Sequence, residues 1–341
     1  MLLHKDELST QIEGDLIALL DDYHAQQEVW DDDLDAQIHK WYSDVPKLFP
    51  KRPYFSPSAV NSCPRELYVK AKGGKRDKDK RQPHQGRWQR IGTQVGDIIQ
   101  RDILFIEKHY ENMTGNSPRF RFLRTKDGQP TFEEFVRVNR KVSIEGQTFY
   151  LYGMPDGIME YTSDEDEKIR VGLEIKSKQT TPARTSLYSM REAEESHIKQ
   201  CVAYSYMYDV DYYVLLYVNA SKKSWKMTDE DYAKTPDIRA FCYRITDEDR
   251  YELLANLSDI QRAIDENEPP KMDITKWTFN NYKRSTVESL AEDELKELLK
   301  VKERVRASNA PKFKKNQITE AVDQVEYLYE EINKKMREEE K

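Results

Sequence analysis

Three strand-like segments, a helical stretch and a strongly apolar strand follow one another between residues 135 and 219, and few folds accommodate that order. FVRVNRKVSI (135–144) alternates apolar and polar side chains, as a half-buried strand does. QTFYLYGMPDGIMEY (147–161) and IRVGLEIKSK (169–178) follow, joined by the turn-like Glu145-Gly146 and TSDEDEK (162–168). The pattern predicts three antiparallel strands. A helix is expected from about Ser189 to Tyr208, then strands at DYYVLLYVN (211–219) and RAFCYRIT (239–246). DEDRYELLANLSDIQRAIDEN (247–267) is amphipathic and capped at Thr246 or Asp247. The class is α/β (α+β), a central sheet flanked by helices, with helical N- and C-terminal extensions.

The flanks differ from this core in charge. The first 35 residues hold Lys5 as their one lysine or arginine, and Leu16, Ile17, Leu19, Leu20 and Tyr23 fall at helical spacing. Residues 1–50 therefore read as an acidic helical arm, 51–268 as the core, and 269–341 as a charged helical extension. Within the extension, Leu295, Leu298, Leu299 and Val301 mark one helix and Ile318, Val322, Val325, Leu328 and Ile332 another, hinged around Ala310-Pro311. WQRIGTQVGDIIQRDILFIEKHY (88–110) is a helix with a buried stripe. Between Lys70 and Arg90 nine Lys and Arg face two Asp, with Gly73 and Gly74 among them. Such a stretch cannot bury itself and is expected to be a mobile basic loop. In a chain of formal net charge −7, a local basic block points to a polyanion.

Charged residues make up 34% of the chain, but 21 Tyr, 11 Phe and 5 Trp supply enough aromatic mass for a core. No apolar run approaches the ~20 residues needed to span a bilayer, so no membrane partner is expected. Three Cys, at 63, 201 and 242, form neither a disulfide framework nor a C-x-x-C metal pair, and a cytoplasmic setting is expected.

Chemistry concentrates in two strands. Asp156 lies in Gly-Met-Pro-Asp-Gly (153–157), and Glu174 and Lys176 lie in Gly-Leu-Glu-Ile-Lys (172–176). Two apart on a strand, Glu174 and Lys176 share a face, while Val171, Leu173 and Ile175 point into a core. Two converging carboxylates repel, which raises a pKa or recruits a cation. Mg²⁺ takes one or two carboxylates plus water and phosphate oxygens, and a neighbouring lysine can neutralise charge developing on a phosphate. Asp before Gly also suits a plain turn, and Glu and Lys on one strand face also suit a solvated pair.

The set Pro155-Asp156, then Glu174-Ile175-Lys176, resembles the motif of the PD-(D/E)XK nuclease superfamily. Gln200-Cys-Val-Ala-Tyr204 resembles the Q-x-x-x-Y motif of its RecB-like and CRISPR-adaptation branches, in which Gln and Tyr line the active site and help hold DNA. Cys63-Pro-Arg65-Glu-Leu-Tyr68 and Gly92-Thr-Gln-Val95 are similar to further motifs of those branches. The resemblance covers roughly residues 55–220. It implies a restriction-endonuclease-like core and hydrolysis of a phosphodiester with one or two Mg²⁺ or Mn²⁺ ions. By the same resemblance Asp156, Glu174 and the main-chain carbonyl of Ile175 are the metal ligands, Lys176 serves the attacking water and the phosphate, and Gln200 and Tyr204 orient substrate.

The chain departs from the pattern at two places. Gly96 stands where the helix usually carries a metal-binding His, with Asp97 beside it as a candidate replacement. Some branches hold an iron–sulfur cluster through four Cys, and with three Cys no cluster is expected; Cys63 is read as a packed side chain. DNA, as duplex ends or a single strand, is the expected partner. Arg65, Lys72, Lys75, Arg76, Lys78, Lys80, Arg81 and Arg87 are the candidate phosphate contacts, and the terminal helices are candidates for docking a protein. Resemblance to the RecB-like and phage recombination exonucleases favours end-directed processing. An endonuclease of the same fold and a non-catalytic DNA-binding or scaffold subunit stay open as alternatives.

Overall fold

The computed structural model describes residues 5–46, 50–78 and 82–339. The acidic arm forms α1 (Glu7–Ala25) and α2 (Asp32–Asp44), capped by the carboxylates of Asp6 and Asp31. Then come α3 (Pro64–Ala71) and the long α4 (Pro83–Thr114), followed by β1 (Phe120–Phe122), β2 (Val138–Ile144), β3 (Gln147–Gly153), β4 (Gly157–Thr162) and β5 (Lys168–Lys178). After α5 (Glu195–Tyr208) the chain forms β6 (Tyr212–Asn219), α6 (Asp229–Lys234), β7 (Ile238–Arg244) and α7 (Asp247–Glu266). It ends in α8 (Lys283–Glu288), α9 (Glu292–Ala307) and α10 (Lys312–Glu339).

Five strands make a mixed sheet in the order β1-β4-β5-β6-β7, with β5 and β6 parallel and the other pairs antiparallel. A parallel neighbour requires a crossover, and α5 supplies it. β6 is apolar along its length because both faces of the sheet are covered. On one face Val171, Leu173, Ile175, Val214 and Leu216 pack under α1 and α4. On the other, Tyr213, Leu215 and Tyr217 pack under α5 and α7.

The expected single strand over 147–161 is broken. Proline fixes its φ and donates no hydrogen bond, so β3 stops at Gly153 and β4 starts at Gly157. β3 pairs with β2 in a separate hairpin, while β4 enters the central sheet. The bend between them is fastened by the Glu133 amide, which donates to the Pro155 carbonyl at 2.7 Å, and by the Tyr204 hydroxyl, which donates to the Met154 carbonyl at 2.6 Å. The helix expected from Ser189 begins only at Glu195, since the amides of Ala193 and Glu194 donate instead to the hydroxyls of Tyr243 and Tyr217. α4 starts five residues earlier than expected, with Pro83 in its first turn and a reciprocal Gln82–Gln85 cap.

The described part of the basic segment is tied down, contrary to expectation. Asp77 accepts from the amides of Lys283 and Arg284 at 2.6 and 3.2 Å, and the Lys75 amide donates to Ser285 Oγ at 3.0 Å. Capping α8 in this way fixes the backbone while Lys75, Arg76 and Lys78 stay exposed. Lys80 and Arg81 lie outside the described residues. Beyond it, Ile274, Trp277, Leu298, Val322 and Val325 give the C-terminal helices a core of their own.

Candidate active site

β4 and β5 pair Gly157 with Leu173, so one step on Asp156 and Glu174 stand across from one another. Asp156 Oδ2 accepts the Ile175 amide at 2.7 Å, closing the bend onto β5. Glu174 Oε1 meets Lys176 Nζ at 2.7 Å and accepts Gln200 Nε2 at 2.8 Å. Lys176 Nζ donates to Gln200 Oε1 at 2.9 Å, so the carboxylate, the ammonium and the carboxamide close a triangle. Asp156 Oδ1 and Glu174 Oε2 are not committed to these bonds. Glu174 is 3% exposed and the Lys176 side chain 21%, so the lysine is the member of the triangle that reaches solvent.

The sheet is shaped to admit this polar cluster on an otherwise apolar face. Gly172 precedes Glu174 on the same face, and a Cβ there would come within 2.1 Å of the Tyr213 ring. Tyr213 therefore lies over the strand and stacks on Tyr204, with ring centroids 6.4 Å apart.

Burial raises the pKa of Asp156 well above the carboxylate range, the charge of Glu174 adds to it, and the Ile175 amide and Lys176 oppose it. Glu174 is also raised by burial, against which Lys176 and Gln200 act. Burial works against the Lys176 ammonium, but Glu174 and Asp156 outweigh it and hold its pKa above the usual value. Nearby, His197 Nδ1 lies 2.9 Å from the Tyr217 hydroxyl, and burial together with Lys176 pushes its pKa down to about 4. It is neutral at physiological pH.

The donor set suits a hard divalent cation: two facing carboxylates, each with an oxygen outside the bonds above, and the Ile175 carbonyl next to Glu174 on β5, with water completing the shell. Among the described residues no group of three or more His, Cys, Asp or Glu side chains assembles a complete metal cage. One neighbour stands out. Gln100 is 2% exposed, its Nε2 donates to the Asp156 carbonyl at 2.9 Å, and its Oε1 is buried without a partner among the described residues. Glu133, at positive φ, accepts the Tyr42 hydroxyl at 2.8 Å, and its charge raises the Asp156 pKa further. Neither residue was singled out in the sequence. A polar residue inside the buried stripe Ile99–Ile103 was the available signal for Gln100.

Asp156, Glu174, Lys176 and Gln200 are thus brought together. Asp97 is not: its carboxylate accepts Gln94 Nε2 at 2.6 Å, and it lines a cavity with Tyr42, Gln100 and Glu133 on the α2 side. Tyr204 is buried with its hydroxyl committed to Met154, so it positions the bend rather than touching substrate. Arg65 cannot reach a phosphate. It is 1% exposed, and its guanidinium donates to the carbonyls of Pro270 and Ser289 at 2.5 and 2.6 Å and pairs with Glu294. Lys72 pairs with Asn267, and Arg87 is exposed on the first turns of α4. That helix passes the end of β5, where Gln179 Nε2 donates to the Trp88 carbonyl at 3.1 Å.

No family model and no curated protein matches the chain. Among solved structures it is similar to SSO0001, at 10% identity and a TM-score of 0.38, over 76% of this chain and 94% of that one. It is also similar to the alkaline exonuclease LHK-Exo from Laribacter hongkongensis (14%, TM-score 0.34, 63% and 91% covered). A third is a phage-related exonuclease from Haemophilus somnus 129PT (12%, TM-score 0.30, 62% and 81% covered). The motif residues Asp156, Glu174, Lys176 and Gln200 come together where β4, β5 and α5 meet, in a mixed sheet flanked by helices.

Proposed function

We propose that the protein is a divalent-metal-dependent DNA nuclease that hydrolyses phosphodiester bonds, acting as an exonuclease in DNA recombination, repair or phage DNA processing. The observation that supports this reading is the buried triangle of Glu174, Lys176 and Gln200 facing Asp156 across two strands. A solvated surface pair would need neither the burial nor the carboxamide from α5. Mg²⁺ or Mn²⁺ held by Asp156, Glu174 and the Ile175 carbonyl would polarise the phosphate and lower the pKa of a bound water.

The chain's own residues do the rest. Lys176 opposes the rise that burial imposes on the Glu174 pKa, and presents a positive charge where a phosphate oxygen gains charge. Gln200 holds both partners, so the ammonium keeps its aim. The Ile175 amide and Tyr204 hold the bend that presents Asp156. Lys75, Arg76 and Lys78, with Arg87 on α4, would receive the phosphate backbone.

The test is digestion of end-labelled linear duplex DNA with Mg²⁺, with EDTA, and by the Lys176→Ala protein. Digestion by the parent with Mg²⁺ alone is expected. Equal digestion by the variant would reject the site. Covalently closed circular DNA separates the modes of action, since an exonuclease leaves it intact.

A further inference from the structure

A second polar cavity is lined by the segment 52–55, which bridges to β3 through Phe55 and Leu151, and by α3 and α7, and it shares no lining residue with the cluster around Lys176. Its volume is about 430 Å³, within the range of small-molecule sites. Its lining includes the apolar Phe55, Leu67 and Ile264 and the aromatic Tyr54 and Tyr282, and the Tyr54 ring also packs on Tyr152, with centroids 5.0 Å apart. Arg52 and Lys70 stand at its edge, both over the Tyr54 ring, at 5.4 and 6.0 Å from its centroid.

Of the two, Lys70 is half-buried and Arg52 is exposed. Among the described residues neither makes an ion pair, and both rest on the Tyr54 ring. Burial lowers the Lys70 pKa, and Arg52 and Arg76 lower it further. Glu66 is the carboxylate that acts on Lys70, but Glu66 Oε1 accepts the Asn281 amide at 3.1 Å and the residue is buried. Gln261 is engaged by Asp265 through Nε2 at 2.9 Å, which leaves its Oε1 free of that bond. Two unpaired cations call for an anion. An apolar lining with tyrosine rings calls for a flat, stackable group attached to it.

We propose that this cavity binds a nucleotide, with its phosphate on Arg52 and Lys70 and its base between Tyr54 and Tyr282. The proposal stands on the cavity alone and does not require the hydrolytic reading. Its two sources are a free nucleotide and one residue of a DNA single strand.

The experiment is calorimetric titration of the full chain in EDTA with deoxyguanosine 5′-monophosphate, with deoxyguanosine and with inorganic phosphate. The parent and the Glu174→Gln protein are expected to bind one nucleotide alike, with nucleoside and phosphate each weaker. Arg52→Glu and Lys70→Gln are each expected to weaken nucleotide binding at least tenfold, about the effect of losing one charge-assisted phosphate contact. Arg52 is exposed, so its variant decides the matter if Lys70→Gln lowers the melting temperature. A 12-residue single-stranded oligonucleotide that displaces the nucleotide assigns the site to a strand, and one that does not assigns it to free nucleotide. No binding, unchanged binding by Arg52→Glu, or phosphate as tight as nucleotide would overturn the proposal. Binding lost in Glu174→Gln but kept in Arg52→Glu would overturn it too, while leaving the nuclease reading intact.

Discussion

Two buried carboxylates facing one another across a strand pair cannot both stay ionised without help. Lys176 and Gln200 supply that help to Glu174, while Asp156 has the Ile175 amide and the charge of Lys176. A carboxyl whose folded pKa exceeds its unfolded value stabilises the fold when protonated and costs stability as pH rises. For Asp156 that loss starts above its unfolded pKa of about 4 and continues through the raised value. The protein in EDTA should therefore lose stability from pH 4 toward neutrality, and Asp156→Asn should flatten the curve. Asn keeps an oxygen for the Ile175 amide and removes the charge. At pH 7 the variant should melt a few degrees higher than the parent, each pKa unit of relief being worth about 1.4 kcal/mol. Mg²⁺ should stabilise the parent, by about 2.7 kcal/mol at a hundredfold excess over Kd, and leave the variant unmoved. A variant that melts lower in EDTA would show that Asp156 is not strained by Glu174. Lys176→Ala should cut hydrolysis by about 10²- to 10³-fold, as loss of a preorganised charge does. Filter binding of labelled DNA to that variant in EDTA should stay within a few-fold of the parent, because the exposed basic residues are untouched.

At the scale of elements, the period-two pattern of β5 decided which side chains meet. Its apolar residues alternate with Gly172, Glu174 and Lys176, and that alternation is visible in the chain. For this reason the strands and the motif pair were legible without coordinates. The break at Pro155 was also written in the chain, but apolar residues on both sides of it masked the change of sheet. Late onset of α5 was not legible, because the hydroxyls that take its upstream amides come from β6 and β7. The same holds for Gly172. Nothing local says that a ring from β6 occupies the space of its side chain. Gly172→Ala should accordingly cost about 3 kcal/mol, the upper range for overpacking a core, read as a lowered midpoint in urea. Activity should fall beyond what that loss of folded protein explains, since the displaced Tyr213 stacks on Tyr204, which holds the Asp156 bend. A variant as stable as the parent would mean that the ring moves freely.

Over the whole molecule, a net charge of −7 must be reconciled with the polyanionic substrate proposed above, and the reconciliation lies in where the basic residues are fixed. The segment carrying Lys75, Arg76 and Lys78 is held by Asp77 and Ser285 against α8, so the C-terminal helices act as a brace for it. Arg65 belongs to the same brace. In the chain it sits close to the basic run and invites a phosphate role, but its partners lie more than 200 residues downstream, and no local pattern reveals them. The two kinds of arginine should separate in salt. Each phosphate neutralised on duplex DNA contributes about 0.9 to the slope of log K against log salt. Replacing Lys75, Arg76 and Lys78 together by Ala should therefore reduce that slope by about 2 to 3, measured by fluorescence anisotropy in EDTA. Arg65→Ala should leave the slope unchanged and instead destabilise the fold by about 3 kcal/mol, since Glu294 and two carbonyls lose a buried partner. Equal slopes for the parent and the triple variant would move the DNA path off this segment. The exposed first turns of α4, with Arg87 and Arg90 passing the end of β5, would then be the surface to substitute next.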